Sequence, residues 1–514
     1  MRLLKPLLLA SAAGLLAASA ASAAELPTKK AAPAAEKPNC YASFYTWLDS
    51  TAADCPLSAY GITVYGTLDM GGGYETHASR FNRDYSNGVS ELVGKTSGGS
   101  RWQAVPNGLS QSNFGVKIKE QIVPDWFVVG DVNFGFDPYS LKFSNGPASL
   151  EDNNRFASTP SQSANGDSSR AGGIDNTRAY VGVSNPTFGT LTFGRQYALT
   201  NDLSGNYDPF GGAYAFSLIG TSGSVEQGTG FTETARENMS FKYLVSYNGL
   251  RAAAIAQVGG WNEGNGAEAA YQVDLGGDWN GFSVDAVYAY AKDAVKLGTW
   301  GTGSLGGLPS DTLKATLADV NAGVIGAKYK WQALTVYGGY EYARLSSPSD
   351  YNKYYGIGAN VYDFNNSWSN YPGLVQKDAF GHGTGKPEDL QVLWVGAKYG
   401  ILSNLDAAVG YYYEWQNNYD FSPNAAVAKG SNLFATTNCG PNSVRPIAGA
   451  APQGTYKGDC AGHTDVVSGM LDWRPVKRVD VYGGVMYSEV SGGMASGFTH
   501  TNNTAYTGGV RVNF

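Results

Sequence analysis

The feature that most constrains this chain is a repeated segment of about ten residues in which apolar and polar side chains alternate. In the segment that starts at Leu405, Val409 and Trp415 fall on one face, whereas Asp406 and Glu414 fall on the other. Successive side chains of a β-strand point to opposite faces, so each segment predicts a strand with one apolar face. A soluble β-sandwich would show the same alternation, and the pattern by itself leaves both architectures open.

The connections between these segments distinguish the two architectures. Tight turns such as Val123-Pro124-Asp125 and Trp331-Gln332-Ala333 alternate with mostly long connections, for example near residues 137–175 and 196–235. Short turns at one end and long loops at the other are typical of outer-membrane barrels, and only a closed barrel hydrogen-bonds every strand within lipid. The sequence therefore predicts an all-β, closed antiparallel transmembrane β-barrel over residues 59–514, with about 16 strands, short periplasmic turns and long extracellular loops. The strands are expected to begin near Ile62, Asn113, Trp126, Thr177, Gly189, Asn238, Gly249, Ala267, Phe282, Val320, Leu334, Leu390, Leu405, Val466, Val479 and Thr504.

Composition argues against several other classes of protein. Charged residues make up only 15% of the 514 residues, whereas glycine contributes 68 and tyrosine 34, so the surface is not expected to face water all round. The net charge of −7 and the total of 36 Lys and Arg argue against nucleic acid as a partner. The four histidines, His77, His382, His463 and His500, form no recognisable catalytic or metal-binding motif. We therefore expect no enzyme activity, no cofactor and no metal site.

The N-terminus predicts an exported protein. Arg2 and Lys5 precede the apolar stretch from Leu7 to Leu16, and Ala21-Ser22-Ala23 provides small residues for cleavage. This stretch is too short to span a membrane, so residues 1–23 are interpreted as a signal peptide cleaved near Ala23.

Residues 24–58 are interpreted as a separate N-terminal extension that carries Cys40 and Cys55. Export places the chain in an oxidising compartment, and we expect the neighbouring cysteines to pair, Cys40 with Cys55 and Cys439 with Cys460. Four cysteines permit three pairings, and a zinc site is the alternative, although no Cys-x-x-Cys spacing occurs. The extension is expected to contact the cell wall or to plug the periplasmic mouth of the barrel.

Four motifs resemble those of Gram-negative general diffusion porins, the trimeric type found in proteobacteria, over nearly all of the chain beyond residue 58. Tyr65-Gly66-Thr67-Leu68-Asp69 resembles the first strand of that family, and Asn113-Phe114-Gly115-Val116-Lys117 resembles its second strand. Phe193 to Tyr197 followed by Asp208 to Gly212 resembles the fifth strand and the third loop. The fourth motif is the terminal aromatic residue, Phe514. The cysteine-bearing extension and the large loops are similar to those of alphaproteobacterial porins.

The resemblance implies a homotrimer whose third loop folds into the lumen and whose Phe514 is recognised by the outer-membrane barrel assembly machinery. The sequence also departs from the family. Thr67 and Asn113 stand where the family often has a lysine and an arginine, and Pro209 occupies the place of the usual acid in the loop motif. The charge pattern of the family's constriction therefore cannot be transferred as a whole, which leaves the ion preference open.

The candidate constriction combines acids of the third loop with bases of the barrel wall. Strand alternation places Lys117, Arg178 and Lys242 on the lumen face, since a cation that faces lipid near the midplane costs about 2–4 kcal/mol. Arg195 follows the family motif, whereas alternation points it outward, and a β-bulge at Gly194 would reconcile the two. Some of these bases are alternatively expected to pair with loop acids and brace the wall. The expected loop acids are Asp202, Asp208, Glu226 and Glu233, and the expected wall bases are Lys117, Lys119, Arg178, Arg195 and Lys242.

These observations predict a water-filled channel in the bacterial outer membrane that contacts lipid and lipopolysaccharide. Small hydrophilic solutes and ions are expected to diffuse through it passively, selected by size and charge at the constriction. A substrate-selective, sugar-type channel is the alternative, because the many tyrosines of the chain would allow sugars to stack.

Overall fold

The structure is a computed structural model and describes residues 40–78, 91–93, 99–139, 141, 175–219, 236–259, 269–294, 318–346, 387–418, 461–495 and 500–514. The described residues are almost entirely β-strand. The strands are β1 Leu57–Ala59, β2 Ile62–Glu75, β3 Arg101–Pro106, β4 Asn113–Val123, β5 Trp126–Gly135, β6 Asp175–Asn185, β7 Gly189–Tyr197, β8 Arg236–Tyr247, β9 Leu250–Gln257, β10 Ala269–Trp279, β11 Phe282–Ala294, β12 Ala318–Trp331, β13 Leu334–Ser346, β14 Glu388–Leu402, β15 Leu405–Gln416, β16 Gly462–Val476, β17 Val479–Gly492 and β18 Asn502–Asn513.

Sixteen of these described strands, β2 and β4 to β18, form a closed antiparallel barrel in which each strand pairs with the next. The last strand closes the barrel on the first, with Val510 opposite Met70 and Tyr506 opposite Tyr74. The short strands β1 and β3 add to the edges of β2. The predicted fold class is confirmed, and eight of the predicted strand starts coincide with observed ones.

The two ends of the barrel differ as the sequence predicts. At one end, called here the short-turn end, consecutive strands are joined by two or three residues, as at Asn248-Gly249 and Asn280-Gly281. Both asparagines have positive φ, 50° and 45°, as do the glycines that follow them, which fits tight turns between twisted strands. At the other end, the long-loop end, the connections include residues 136–174, 198–235 and 347–387.

The described helices are short: α1 spans Phe44–Leu48, α2 spans Leu199–Tyr207, and a 3-10 helix spans Gly493–Ala495. Within the described ranges, no helix is long and apolar enough to cross a membrane.

Exposure confirms the two predicted faces of the strands. In β15, the side chain of Val409 is 58% exposed on the outside, whereas its near neighbour Tyr412 is fully buried inside. One part of the lumen wall nevertheless differs from the expected small, polar or charged lining, because Val392, Trp394 and Val466 also point inward and are buried. These side chains belong to a hydrophobic core inside the barrel, which combines other wall residues such as Val287 and Met470 with residues of the connection between β7 and β8, such as Leu203 and Phe216.

The N-terminal extension lies at the short-turn end. The predicted Cys40–Cys55 disulfide is present, with a Cα–Cα distance of 5.4 Å, and α1 lies between the two cysteines. Residues 1–39, which include the predicted signal peptide, and the predicted pair Cys439 and Cys460 lie outside the described residues.

Candidate functional site in the barrel lumen

The segment that follows β7 turns into the barrel and lies against the inner wall. This segment, residues 198–219, is called here the inserted loop, and α2 forms its first half. The Tyr207 hydroxyl donates to Asp285 Oδ2 of β11 at 2.6 Å, and Trp394 Nε1 of β14 donates to the carbonyl oxygen of Tyr207 at 3.0 Å. On β12, Lys328 Nζ donates to the carbonyl oxygen of Asn206 at 3.1 Å. The predicted insertion of the third loop into the lumen is therefore confirmed.

Glycines on the lumen face of the wall make room for the inserted loop. A Cβ atom at Gly396 of β14 would lie 2.5 Å from Pro209 Cγ, and one at Gly410 of β15 would lie 2.7 Å from Phe210 Cε2. Both distances are below any normal carbon–carbon contact, so a larger side chain at either position would displace the loop. Some of the many glycines of the chain thus allow the inserted loop to pack closely against the wall.

Asp208 fixes the turn at the tip of the inserted loop. Its Oδ2 accepts hydrogen bonds from the amides of Phe210 at 3.0 Å and Gly212 at 2.9 Å, and the Tyr412 hydroxyl donates to its Oδ1. The residue is only 2% exposed, and burial raises the pKa of Asp208 to about 6. Asp208 was expected to present its charge to the channel. In the structure its carboxylate instead binds the backbone amides of the loop, and Tyr412 and the loop backbone enclose it.

Asp202 and Lys242 form an ion pair, as expected for a base that braces the wall. Lys242 Nζ of β8 lies 2.5 Å from Asp202 Oδ2 in α2 and donates to the carbonyl oxygen of Tyr197 at 2.8 Å. The lysine side chain is 8% exposed and the aspartate side chain 42%. The pair therefore anchors the start of the inserted loop to the wall, while the Asp202 side chain stays partly exposed to solvent.

Lys117 and Arg178 both contact Tyr65 on a different part of the wall, which is formed by β2 and β4 to β6. Arg178 Nη2 lies 3.0 Å from the Tyr65 hydroxyl oxygen and 3.3 Å from Asp131 Oδ2, and Tyr65 donates to Asp131 Oδ1 at 2.5 Å. Lys117 Nζ lies 4.3 Å from the centroid of the Tyr65 ring, a cation–π contact. We call Lys117, Arg178, Tyr65 and Asp131 the basic patch. It carries two cations and one carboxylate.

Sequence reasoning missed Tyr65 and Asp131 as members of this patch. Tyr65 stands in a motif that was recognised, but its ring was not assigned to the lumen. Asp131 lies directly opposite Lys117 in the pairing of β4 with β5, so a correct strand register would have found it.

The remaining predicted bases lie apart from the basic patch. Lys119 Nζ lies 5.0 Å from the centroid of the Phe127 ring, closer to the short-turn end. Arg195 donates from Nη1 to Asn238 Oδ1, and the β7–β8 pairing shifts register between Gly194 and Gln196. The extra residue of this shift lies on β8, because Gly194 pairs with Ser240 and Gln196 pairs with Glu237. The irregularity is therefore in the strand opposite Gly194 and not at Gly194 as predicted. Glu226 and Glu233 fall outside the described residues.

Further ion pairs line the wall near the short-turn end, and sequence reasoning did not single them out. Arg474 bridges Asp406 and Asp472, at 2.9 Å from each. Arg511 Nε lies 2.8 Å from Asp480 Oδ2. Alternation already places Asp406 and Asp480 on the polar faces of their strands, so strand register is again the missing information.

Arg251 of β9 anchors the inserted loop from the wall. Its Nη2 lies 3.0 Å from Asp285 Oδ2 and 3.0 Å from the Tyr207 hydroxyl oxygen. No group of three or more metal-ligating side chains that would hold an ion occurs in the part of the chain that the structure describes.

Comparisons with known proteins agree with this architecture. A family model described as Gram-negative porin matches residues 10–379. No curated protein sequence shows significant similarity to the chain. The anion-selective porin from Comamonas acidovorans has a similar structure, with a TM-score of 0.51, 12% identity and coverage of 88% of this chain and 99% of that one.

Two further solved structures are more distant. The outer membrane channel DcaP of Acinetobacter baumannii has a TM-score of 0.47 and 14% identity, and the alignment covers 89% of this chain and 99% of that one. OmpF of Salmonella typhi has a TM-score of 0.44 and 14% identity, over 88% and 97% of the two chains. At such identities a likeness concerns the fold alone.

Proposed function

This chain belongs to the Gram-negative porin family, and from that premise we propose that it carries small hydrophilic solutes and ions passively across the outer membrane. The family establishes an outer-membrane channel rather than an enzyme. The route of permeation, the constriction and the ion preference are the finer parts of the proposal.

One observation carries the proposal: Lys117 points into the lumen and is nevertheless exposed to solvent. The inserted loop contacts the wall from β8, where Asp202 pairs with Lys242, to β17, where Phe216 packs on Tyr482. On the loop, Gly205 and Asn206 are exposed as well. Exposed groups on the wall and on the loop require space between them, and a barrel of this strand number is wide enough for a water-filled interior.

The proposed constriction lies between the exposed edge of the inserted loop and the basic patch. In its described part, the loop offers glycine, asparagine and the already paired Asp202 rather than free carboxylates. The basic patch retains one unit of positive charge after Asp131 is counted. We therefore propose that the constriction favours anions, since the charge lining the narrowest section selects the permeating ion.

Three of the described lumen aromatics do not favour the sugar-type alternative. Trp394, Tyr412 and Tyr482 point inward, but all are less than 5% exposed and lie in the core beneath the inserted loop. A sugar cannot stack on rings that the loop already covers, and the partly exposed Tyr65 ring carries Lys117 Nζ at 4.3 Å from its centroid.

Assembly and placement in the membrane form part of the same proposal. We expect a homotrimer in contact with lipid and lipopolysaccharide, exported with a signal peptide cleaved near Ala23. The Phe514 amide donates to the carbonyl oxygen of Gly66 at 2.9 Å, and the Gly66 amide donates back at 3.0 Å. Recognition of Phe514 by the barrel assembly machinery would have to precede this pairing.

Liposome swelling tests passive diffusion against substrate selectivity. Proteoliposomes diluted into isotonic sugars or amino acids should swell at rates that fall smoothly with solute size and do not saturate with concentration, because a wide aqueous pore sieves by diameter. Protein-free liposomes are the control. Uptake that saturates for one class of sugar and excludes smaller solutes would contradict the proposal and favour the alternative.

A further inference from the structure

The N-terminal extension forms a small unit that cannot be stable alone. The Cys40–Cys55 bridge closes a loop with a sequence separation of 15 residues, and the five-residue helix α1 lies within it. Tyr41, Phe44 and Tyr45 are each more than 60% exposed, so the described part of the extension, residues 40–58, has no hydrophobic core of its own. Units of this size need a cross-link or a partner surface to hold one structure.

The extension binds the barrel through Arg478, which lies in the turn between β16 and β17. Its Nε donates to the carbonyl oxygen of Trp47 at 2.9 Å, and its Nη2 donates to those of Thr51 at 3.1 Å and Cys55 at 2.6 Å. The guanidinium lies 4.3 Å from the centroid of the Trp47 ring. Arg478 is only 1% exposed, so the extension encloses this side chain almost completely.

The chemistry of this contact requires arginine. The acceptors of Trp47, Thr51 and Cys55 are neutral backbone carbonyls, held in place by α1 and by the disulfide. The planar guanidinium reaches them with a fixed fork of donors while it stacks on tryptophan. A lysine ammonium would carry the same charge but could not bond three carbonyls and cover the ring in this geometry.

The same residues connect the first and last strands of the barrel. The carbonyl oxygen of Arg478 accepts a hydrogen bond from the Asn513 amide of β18 at 2.9 Å. Following the extension, β1 pairs with the start of β2, where Ala59 lies opposite Ile62. These contacts connect β2 to β18 by a second path, which passes through β1, the extension and Arg478. The direct path is the pairing of β18 with β2.

Among the described barrel strands, the seam between β18 and β2 is the one boundary whose two strands are not joined by a turn or loop. Every other neighbouring pair of barrel strands is joined by a turn or loop, whereas β2 and β18 stand at opposite ends of the chain. Separation of these two strands therefore opens the barrel without any tether. Pairing of β18 with β2 extends from Glu75 to Thr67 and ends with the two bonds between Gly66 and Phe514. Beyond that point β1 occupies the edge of β2, from Val64 to Ile62.

We propose that the disulfide-closed extension is a clasp that binds Arg478 and locks the seam between the first and last strands at the short-turn end of the barrel. This role in the closure of the barrel is independent of what permeates the channel. Because the clasp binds a turn of the last strands, it can dock only after those strands have folded. The disulfide keeps the carbonyls that bind Arg478 in one arrangement.

The test compares Arg478→Ala and Arg478→Lys with the double variant Cys40→Ser/Cys55→Ser, all in the full-length protein. Lys477→Ala is the matched control, because Lys477 is an exposed base in the same turn. The thermal midpoint of barrel unfolding, measured in detergent by the shift of the folded band in gel electrophoresis, should fall by about 5 °C for each test variant. The control should keep the wild-type midpoint. Combining Arg478→Ala with the double cysteine variant should lower the midpoint no further, because both changes remove one clasp.

Hydrogen exchange provides the seam-specific readout. The amides of Gly66 and Phe514 should exchange about tenfold faster in the test variants, while those of Val287 and Val324, in the β11–β12 pair, should keep their wild-type rates. Additive midpoint losses, or equal acceleration in both regions, would overturn the proposal, since Arg478 would then act apart from the extension. If Arg478→Ala does not fold, Arg478→Lys decides the question, and a wild-type midpoint in that variant would also overturn it.

Discussion

Removal of the inserted loop should raise the single-channel conductance by about twofold or more if, as proposed, this loop narrows an otherwise wide barrel. The variant replaces residues 200–218 with a short Gly-Ser linker, which keeps β7 and β8 and their strand pairing intact. It removes the groups that bind Arg251, Trp394 and Tyr412 from the lumen. Conductance in a planar bilayer measures the effect, and circular dichroism checks that the barrel has folded.

A tethered variant is the matched control for that deletion. In Pro209→Cys/Gly396→Cys, a disulfide replaces the contact between the loop and the wall. A Cβ atom at Gly396 would lie 2.9 Å from Pro209 Cβ, so the loop has to move by about 1 Å to reach the usual Cβ–Cβ distance of a disulfide, but it stays on the wall. A bridge holds the loop on the wall, so the conductance should equal that of the wild type. An unchanged conductance after deletion, with the barrel folded, would show that the inserted loop does not set the constriction.

Reversal of the charge at Lys117 should shift the ion preference of the channel strongly toward cations. Two unit charges 4 Å apart interact by about 1 kcal/mol in water, which corresponds to about a fivefold change in relative permeability. Lys117→Glu should therefore change the anion-to-cation permeability ratio by at least about fivefold, and Lys117→Gln should fall between that variant and the wild type. The measurement is the reversal potential across a bilayer under a salt gradient.

The effect should depend on position and on salt. Lys477→Glu makes the same change of charge in an exposed turn at the end of the barrel, where the charge is distant from the proposed constriction, and it should leave the reversal potential close to that of the wild type. At an ionic strength of about 1 M the Lys117→Glu shift should shrink, since screening then acts within about 3 Å. Identical reversal potentials for wild type, Lys117→Gln and Lys117→Glu would show that the basic patch does not line the route of the ions.

The strands were predictable from the sequence because a transmembrane strand is recognised from its own residues alone. Alternation in a segment such as that from Leu405 fixes both its secondary structure and its faces without knowledge of its neighbours. The same rule placed Lys117, Arg178 and Lys242 on the lumen side, where the structure finds them in contact with Tyr65, Asp131 and Asp202.

Contacts between distant parts of the chain were not predictable in this way. Asp208 is enclosed by Tyr412, which lies 204 positions further along the chain, and alternation gives no direction for a loop residue. Arg478 has no distinguishing local pattern, yet it binds a cysteine-closed segment that lies more than 400 positions earlier. The inward-facing apolar residues Val392, Trp394 and Val466 were not predicted, because this part of the wall becomes a core only when the inserted loop covers it.

Passive permeation requires that the barrel encloses a continuous water-filled route beside the inserted loop. Purified protein added at low concentration to a planar lipid bilayer in potassium chloride should then produce stepwise current increases whose size is proportional to voltage and to salt concentration. A bilayer that stays electrically silent, although gel electrophoresis and circular dichroism show the inserted protein to be a folded barrel, would contradict it.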